Sequence, residues 1–311
     1  MARSMAMMRS LLLAASQNSW LRTHAPRYRF VRRTVARFMP GEQIDDALAA
    51  AGRLQSSKLK TIFTHLGENI TSALEAEQVR DHYLGVLDRI GAASLPAEVS
   101  VKLTHLGLDL GDELCCQNVA PLLEHPAAAQ RVIWVDMEGS AYTERTLAVF
   151  HRLRAARSNV GVCVQAYLHR TKDDLEKLIA AGAAVRLVKG AYREPPSVAI
   201  ARKKDVDENY FWLAQRLLSA EARQHGVRAA IATHDRDLIA RIIAWAENND
   251  ARSVLEFQML YGIQSAEQLR LAAEGYDSRV LIAYGAHWYA WFMRRLAERP
   301  ANVWFVAKNL F

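Results

Sequence analysis

Residues 160–190 read VGVCVQAYLHRTKDDLEKLIAAGAAVRLVKG. The opening run, Val160 to Tyr167, is almost continuously apolar, and so is Ala184 to Val188 apart from Arg186. Between them, TKDDLEKLIAAG carries apolar residues at helical spacing and closes on glycine, as a helix C-cap does. Strand, helix and strand of this kind form a parallel crossover unit. The alternation continues in both directions. Further apolar runs begin at Lys60 (KTIFTHLG), Val99 (VSVKLTHL), Arg131 (RVIWVDME), Arg228 (RAAIATHD), Ser253 (SVLEFQML) and Arg279 (RVLIAYG), making eight in all. Helical stretches such as DRDLIARIIAWAENN and SAEQLRLAAEG separate them. Eight units with continuous apolar strands predict an α/β fold, a (β/α)8 TIM-type barrel. An open doubly wound sheet is the alternative, but no GxGxxG follows the first strand. The stretch LGLDLGDELCCQNVAPLLEHPAAAQ, after the second run, reads as loop plus a short helix.

The chain has 311 residues and 34.9 kDa, enough for one large barrel behind a short extension. We expect a helical lead-in over 1–58 and the barrel over 59–311. The first 40 residues read as basic amphipathic helix, and GEQIDDALAAAGRLQ opens another after Pro40-Gly41. Leu11 to Ala15 imitates a signal peptide, but it is short for an export segment and strongly basic sequence follows. No stretch approaches the ~20 apolar residues of a membrane span. Cys115, Cys116 and Cys163 show no metal-binding or disulfide spacing, which suits a reducing, cytoplasmic setting; Cys163 reads as a small core residue. A net charge of +7 attracts anions without choosing among them, and no nucleic-acid motif is present.

In this fold catalytic groups sit at the C-terminal ends of strands. The polar residues expected there are Lys102, Asp136, Glu138, Gln165, Arg186 and Lys189. Thr233, His234, Glu256, Gln258 and Tyr284 complete the ring. Singly, each has a structural reading: Lys102 paired with Asp136, Arg186 with Glu256, Asp235 as a helix N-cap, Gln165 and Gln258 serving backbone groups. Together they demand an unusually polar mouth, which favours an enzyme. One class uses a divalent metal held by Asp136, Glu138, His234 and Glu256 for isomerase or hydrolase chemistry. The other holds an anionic cofactor with Arg186, Lys189 and the amides near Gly190. The number of cations at the rim favours the second. Near the C-terminus, Arg294 and Arg295 lie about 100° apart on a helix, with Glu298 four residues after the first. That can be a solvated face. Beside Trp288, Tyr289, Trp291 and Phe292, it can also be a clamp for a carboxylate.

The segments VRLVKGAY, VQAY, ATHD, EFQMLYG and MRRLAERPAN, in their respective places, resemble proline dehydrogenases, flavin-dependent barrels, and the likeness extends over most of the chain. The resemblance implies FAD held by Gln165, Arg186, Lys189, Gly190, Ala191, Tyr192, Thr233, His234 and Gln258, with Arg186 near the flavin N5. It implies a substrate pocket shaped by Lys102, Asp136 and Leu260. Arg294 and Arg295 would bind the carboxylate of proline, with Glu298 positioning the pair and Glu68 closing over the substrate by pairing with Arg294. Lys102, Asp136, Arg294 and Arg295 are thus the expected catalytic set. The implied reaction takes L-proline to the pyrroline-5-carboxylate imine and passes electrons to a quinone. A transient membrane-surface contact and a partner pyrroline-5-carboxylate dehydrogenase are implied as well. Two positions depart from the family's pattern: Leu281 and Trp291 stand where tyrosines are common. Two hydroxyls are lost from the substrate's border, so a related cyclic imino acid is an alternative substrate.

Overall fold

The computed structural model describes residues 35–289 and 291–293. Eight parallel strands close on themselves in chain order. They are β1 (Lys60–His65), β2 (Ala97–Val101), β3 (Ile133–Val135), β4 (Val160–Gln165), β5 (Ala184–Val188), β6 (Arg228–Ile231), β7 (Glu256–Leu260) and β8 (Asp277–Tyr284). The closing pair, β1 with β8, runs from Lys60↔Arg279 to His65↔Tyr284. The expected barrel is present, with its strands where the apolar runs lie.

Helices cover the outside. They are α1 (Ile44–Gln55), α2 (Ala73–Ala92), α3 (Asp112–Glu124), α4 (Thr143–Ala156), α5 (Thr171–Ala180), α6 (Lys203–Leu217), α7 (Ala220–Gln224), α8 (Arg236–Glu247) and α9 (Ser265–Ala273). Helix α1 precedes the barrel yet buries Ala47, Ala50 and Ala51, one face at i, i+3, i+4 spacing, in the barrel's own core. Asp235 caps α8 by accepting the Leu238 amide, as expected. Helix α3 corrects the reading of loop plus short helix. It runs for 13 residues because Cys115, Val119 and Leu122 form a buried stripe, which Pro121 disguises in the sequence. None of the described helices is long and apolar enough to cross a membrane.

The barrel interior is built in three levels. At the N-terminal end, Lys60 pairs with Asp277, while Arg228 and Arg279 share Glu98 and Glu256. The middle level is apolar: Ile62, Trp134, Ala184 and Ala230, with Leu281 packed on them. Polar groups return at the C-terminal end. There a second apolar cluster joins Val35, Phe38 and Met39 to Leu66, Ile263 and the aromatic residues Trp288, Tyr289, Trp291 and Phe292. At Gly262, φ is +72°, and a Cβ would lie within van der Waals overlap of the Arg37 carbonyl, so only glycine lets this lead-in segment cross the turn after β7. The basic helix expected before residue 35 lies outside the described residues.

Candidate active site

Arg186 is the centre of the mouth. It is 3% exposed, on a strand whose other residues are apolar, so an anion must meet it. That anion is Asp136, 2.7 Å from Nη1, and the same Nη1 donates to Ser100 Oγ at 2.9 Å. Ser100 in turn donates to Asp136 at 2.7 Å, and Arg186 Nε donates to Gln258 Oε1 at 2.6 Å. Neither structural pairing weighed from the sequence forms. Glu256, the first residue of β7, is taken instead by Arg228 and Arg279. Lys102 does not reach Asp136; its ammonium is 3.8 Å from Glu68. Gln258 bridges Arg186 and Glu256 and serves no backbone group in these bonds.

Gln165, at the end of β4, donates from Nε2 to the carbonyls of Met137 and Glu138 at 3.3 Å each. Among the buried side-chain atoms of the described residues that lack a hydrogen-bond partner are two on neighbouring strands here: Arg186 Nη2, a donor, and Gln165 Oε1, an acceptor. They belong to adjacent strands, β4 and β5, at the barrel mouth. Native interiors leave few such atoms unsatisfied, so each implies a missing partner. A planar heterocycle carrying both acceptors and an N–H on its edge suits this pair. Beyond β5, Gly190 has φ +112°, and a Cβ there would sit 2.1 Å from the Tyr167 ring. The Tyr167 ring thus packs directly on the Gly190 backbone, and only glycine fits there.

Lys189 differs from the expectation of a cation facing phosphate. Its ammonium is held by Asp207 at 2.5 Å and Asp235 at 2.6 Å. Burial, the largest single influence, would raise the Asp235 carboxyl, but Lys189, the Leu238 amide and Lys203 together hold it below its usual value. Ala191 and Tyr192 follow, half-buried, in the loop that Glu194 ties to the Ser140 amide at 2.7 Å. Thr233 accepts the Asp235 amide at 3.2 Å. His234 Nε2 accepts the Leu260 amide at 2.9 Å, which places its ring proton on Nδ1 and fixes the backbone of Leu260.

Glu138, buried at 4%, accepts from both the amide and the hydroxyl of Thr104, with burial raising its carboxyl above the usual value. Asp136, Glu138, His234 and Glu256 thus each have separate partners, and the four do not converge as a metal set. Leu281 packs in the middle level against the Trp134 cluster, and Trp291, 6% exposed, lies in the upper apolar cluster. Arg294, Arg295 and Glu298 lie outside the described residues.

Two features escaped the sequence reading. Tyr284 does not join the ring, because it faces outward: its hydroxyl meets His82 of α2 at 2.8 Å. Around it His65, His82 and His105 stack, with ring centroids 4.3 and 5.5 Å from that of His65. Burial first, then the neighbouring imidazoles, push His65 down to about 3; burial and then Lys102 push His105 down to about 4. Both rings are neutral at physiological pH. The second feature is Trp134, whose indole fills the middle of the barrel. Cys163, expected in the core, is there, and burial pushes its thiol up to about 12.

The family description "Proline dehydrogenase" matches residues 47–308. Among characterised proteins, Proline dehydrogenase 1 of Bacillus subtilis is 37% identical over 308 residues, covering 98% of this chain and 99% of its own. Proline dehydrogenase of Deinococcus radiodurans is 34% identical, covering 88% and 89%. Among solved structures, proline utilization A (PutA) from Bdellovibrio bacteriovorus, inactivated by N-propargylglycine, superposes with a TM-score of 0.81. At 24% identity it speaks to the fold, over 94% of this chain and 36% of that one. A PutA variant from Bradyrhizobium japonicum gives 0.73 at 26% identity, over 90% and 32%. This chain thus spans about a third of those longer proteins.

Proposed function

The chain belongs to the proline dehydrogenase family and is an oxidoreductase that oxidises proline in its catabolism; we propose that it does so at the barrel mouth with FAD bound beside Arg186 and Gln165. The family is one of flavoenzymes. The observation that carries the site is the buried pair of unsatisfied atoms, Arg186 Nη2 and Gln165 Oε1. Gly190, Ala191 and Tyr192 would follow the cofactor's phosphate-bearing chain through their backbone, with Thr233, His234 and Gln258 flanking it.

When bound, the flavin supplies the acceptor for a hydride. The protein's own part is binding, orientation and exclusion of water. Proline loses hydride from the ring carbon next to nitrogen and a proton from nitrogen, and a C=N bond forms. Lys102, with Glu68 beside it, borders the mouth; Asp136 holds Arg186 in place; Leu260, Leu281 and Trp291 supply apolar surface for the ring. Arg294 and Arg295 would take the carboxylate, with Glu298 supporting them. Fixing both reacting partners removes most of the entropic barrier to an encounter between them.

Four finer assignments belong to the same proposal: a lead-in over 1–58 before a barrel over 59–311, a cytoplasmic location with transient contact at a membrane surface, a quinone as final acceptor, and a separate pyrroline-5-carboxylate dehydrogenase that consumes the imine. Mass analysis of acid-released cofactor tests the flavin assignment. FAD at one per chain supports it, and FMN or no flavin rejects it. Gel filtration with that dehydrogenase and flotation with anionic vesicles test the partner and the membrane contact.

A further inference from the structure

Trp134 is fully buried inside the barrel, where branched aliphatic residues usually fill the space. The strands around it are emptied to admit it. Gly161, its ladder neighbour on β4, has no room for a side chain: a Cβ there would lie 2.7 Å from the indole. Ala184 and Ala230 complete the small surroundings. The indole Nε1 donates to Glu98 Oε2 at 2.8 Å. Two guanidiniums lie over the ring, Arg186 at 4.7 Å and Arg228 at 5.2 Å from its centroid. In the ladder Arg186 stands level with Ala230, and Arg228 with Ala184, so Arg228 is one inward position lower. The indole therefore lies where the polar mouth meets the lower ion network.

Arg186 is fixed in two different ways. Gln258, Ser100 and Asp136 bind its Nε and Nη1 hydrogens, which sets the direction of the guanidinium within its plane. Hydrogen bonds that lie in the guanidinium plane leave the tilt of that plane loosely held. A flat aromatic face against the guanidinium restrains the tilt, and the cation–π attraction strengthens where water is excluded. The edge left over is Nη2, buried and without a hydrogen-bond partner.

We propose that Trp134 is a positioning residue: its indole face, held by Glu98 and by the space at Gly161, sets the plane of Arg186 so that Nη2 meets the flavin edge. This rests on the reading that a flavin binds over Arg186. The role is distinct from filling space, because a filler of similar bulk without a π face would not reproduce it.

The test uses the full-length, flavin-loaded protein. Trp134→Phe keeps a ring face; Trp134→Met and Trp134→Leu remove it, and either one suffices should the other fail to fold. The readouts are flavin stoichiometry, the two-electron midpoint potential of the bound flavin, and kcat and KM for L-proline. The face-less variant is expected to keep flavin but shift the oxidation equilibrium about tenfold, a fall of about 30 mV. Its kcat should drop about tenfold with KM changed less than twofold. Trp134→Phe should restore both to within about threefold. In an Arg186→Lys background, removing the face should cause no further shift. An unchanged potential in the face-less variant, equal shifts in the Phe and Met variants, or additive shifts with Arg186→Lys would overturn the inference while leaving the flavin reading intact. A wild-type chain without flavin would overturn that reading, and this inference with it.

Discussion

Asp136→Ala attacks the contact on which the mouth depends. Arg186 is 3% exposed and Asp136 is its only carboxylate partner among the described ion pairs. The substitution leaves a buried guanidinium without a counter-charge and strands the hydroxyl of Ser100, itself fully buried, without its acceptor. Breaking one side of a buried pair costs about 3–5 kcal/mol. Folded domains carry only about 5–15 kcal/mol in total, so the loss is a large share of stability. At roughly 2–4 °C per kcal/mol for domains of up to 250 residues, Tm should fall by about 6–20 °C. Calorimetry of the cofactor-free and flavin-loaded forms gives the number directly. Asp136→Asn, which keeps an acceptor oxygen, should lose less than half as much. A Tm within about 2 °C of wild type for Asp136→Ala in the cofactor-free form would refute the reasoning. It would mean that Arg186 does not depend on Asp136 for its charge balance.

The histidine stack should make the fold acid-sensitive. His65 and His105 have folded values pushed down to about 3 and about 4, below the ordinary 6.5, so the unfolded chain binds more protons below pH 6.5. Stability is therefore complete above that pH and falls as pH drops, by at most about 1.4 kcal/mol per unit for each ring. Urea unfolding at pH 5.5 should show up to about 3 kcal/mol less stability than at 7.5, and no difference would contradict it. Gly190→Ala combines a left-handed φ with a Cβ 2.1 Å from the Tyr167 ring; we expect weaker flavin retention on gel filtration and about 1–3 kcal/mol of destabilisation. Arg294→Ala should raise KM for proline by 100-fold or more with flavin still bound, as loss of a charge-assisted carboxylate contact requires. An unchanged KM would remove the clamp from the account.

The barrel was legible because its strands are apolar throughout and its helices are not, so two periods separate cleanly along the chain. The mouth was legible in its membership, since polar residues on buried strands stand out, but not in its pairings. Which carboxylate meets Arg186 depends on register between strands far apart in sequence. Asp136, just past β3, and Arg186 on β5 meet across the interior, whereas Glu256, level with Arg186 in the ladder, is taken by Arg228 and Arg279 and reaches Arg186 only through Gln258. Trp134 was passed over because an aromatic in an apolar run looks like ordinary core; the signal was Gly161 on the neighbouring strand. The histidine stack draws on β1, α2 and the turn after β2, and no sequence spacing links those three places.

The central claim is that this barrel mouth binds a flavin and reduces it with proline. The most direct measurement is the absorption spectrum of the purified protein, repeated anaerobically after adding L-proline. Flavin bands near ~450 nm that bleach with proline are the expected result. Bands that persist with proline but bleach with a related cyclic imino acid would move the substrate and point to Leu281 and Trp291. A colourless protein that takes up no added FAD would contradict the account.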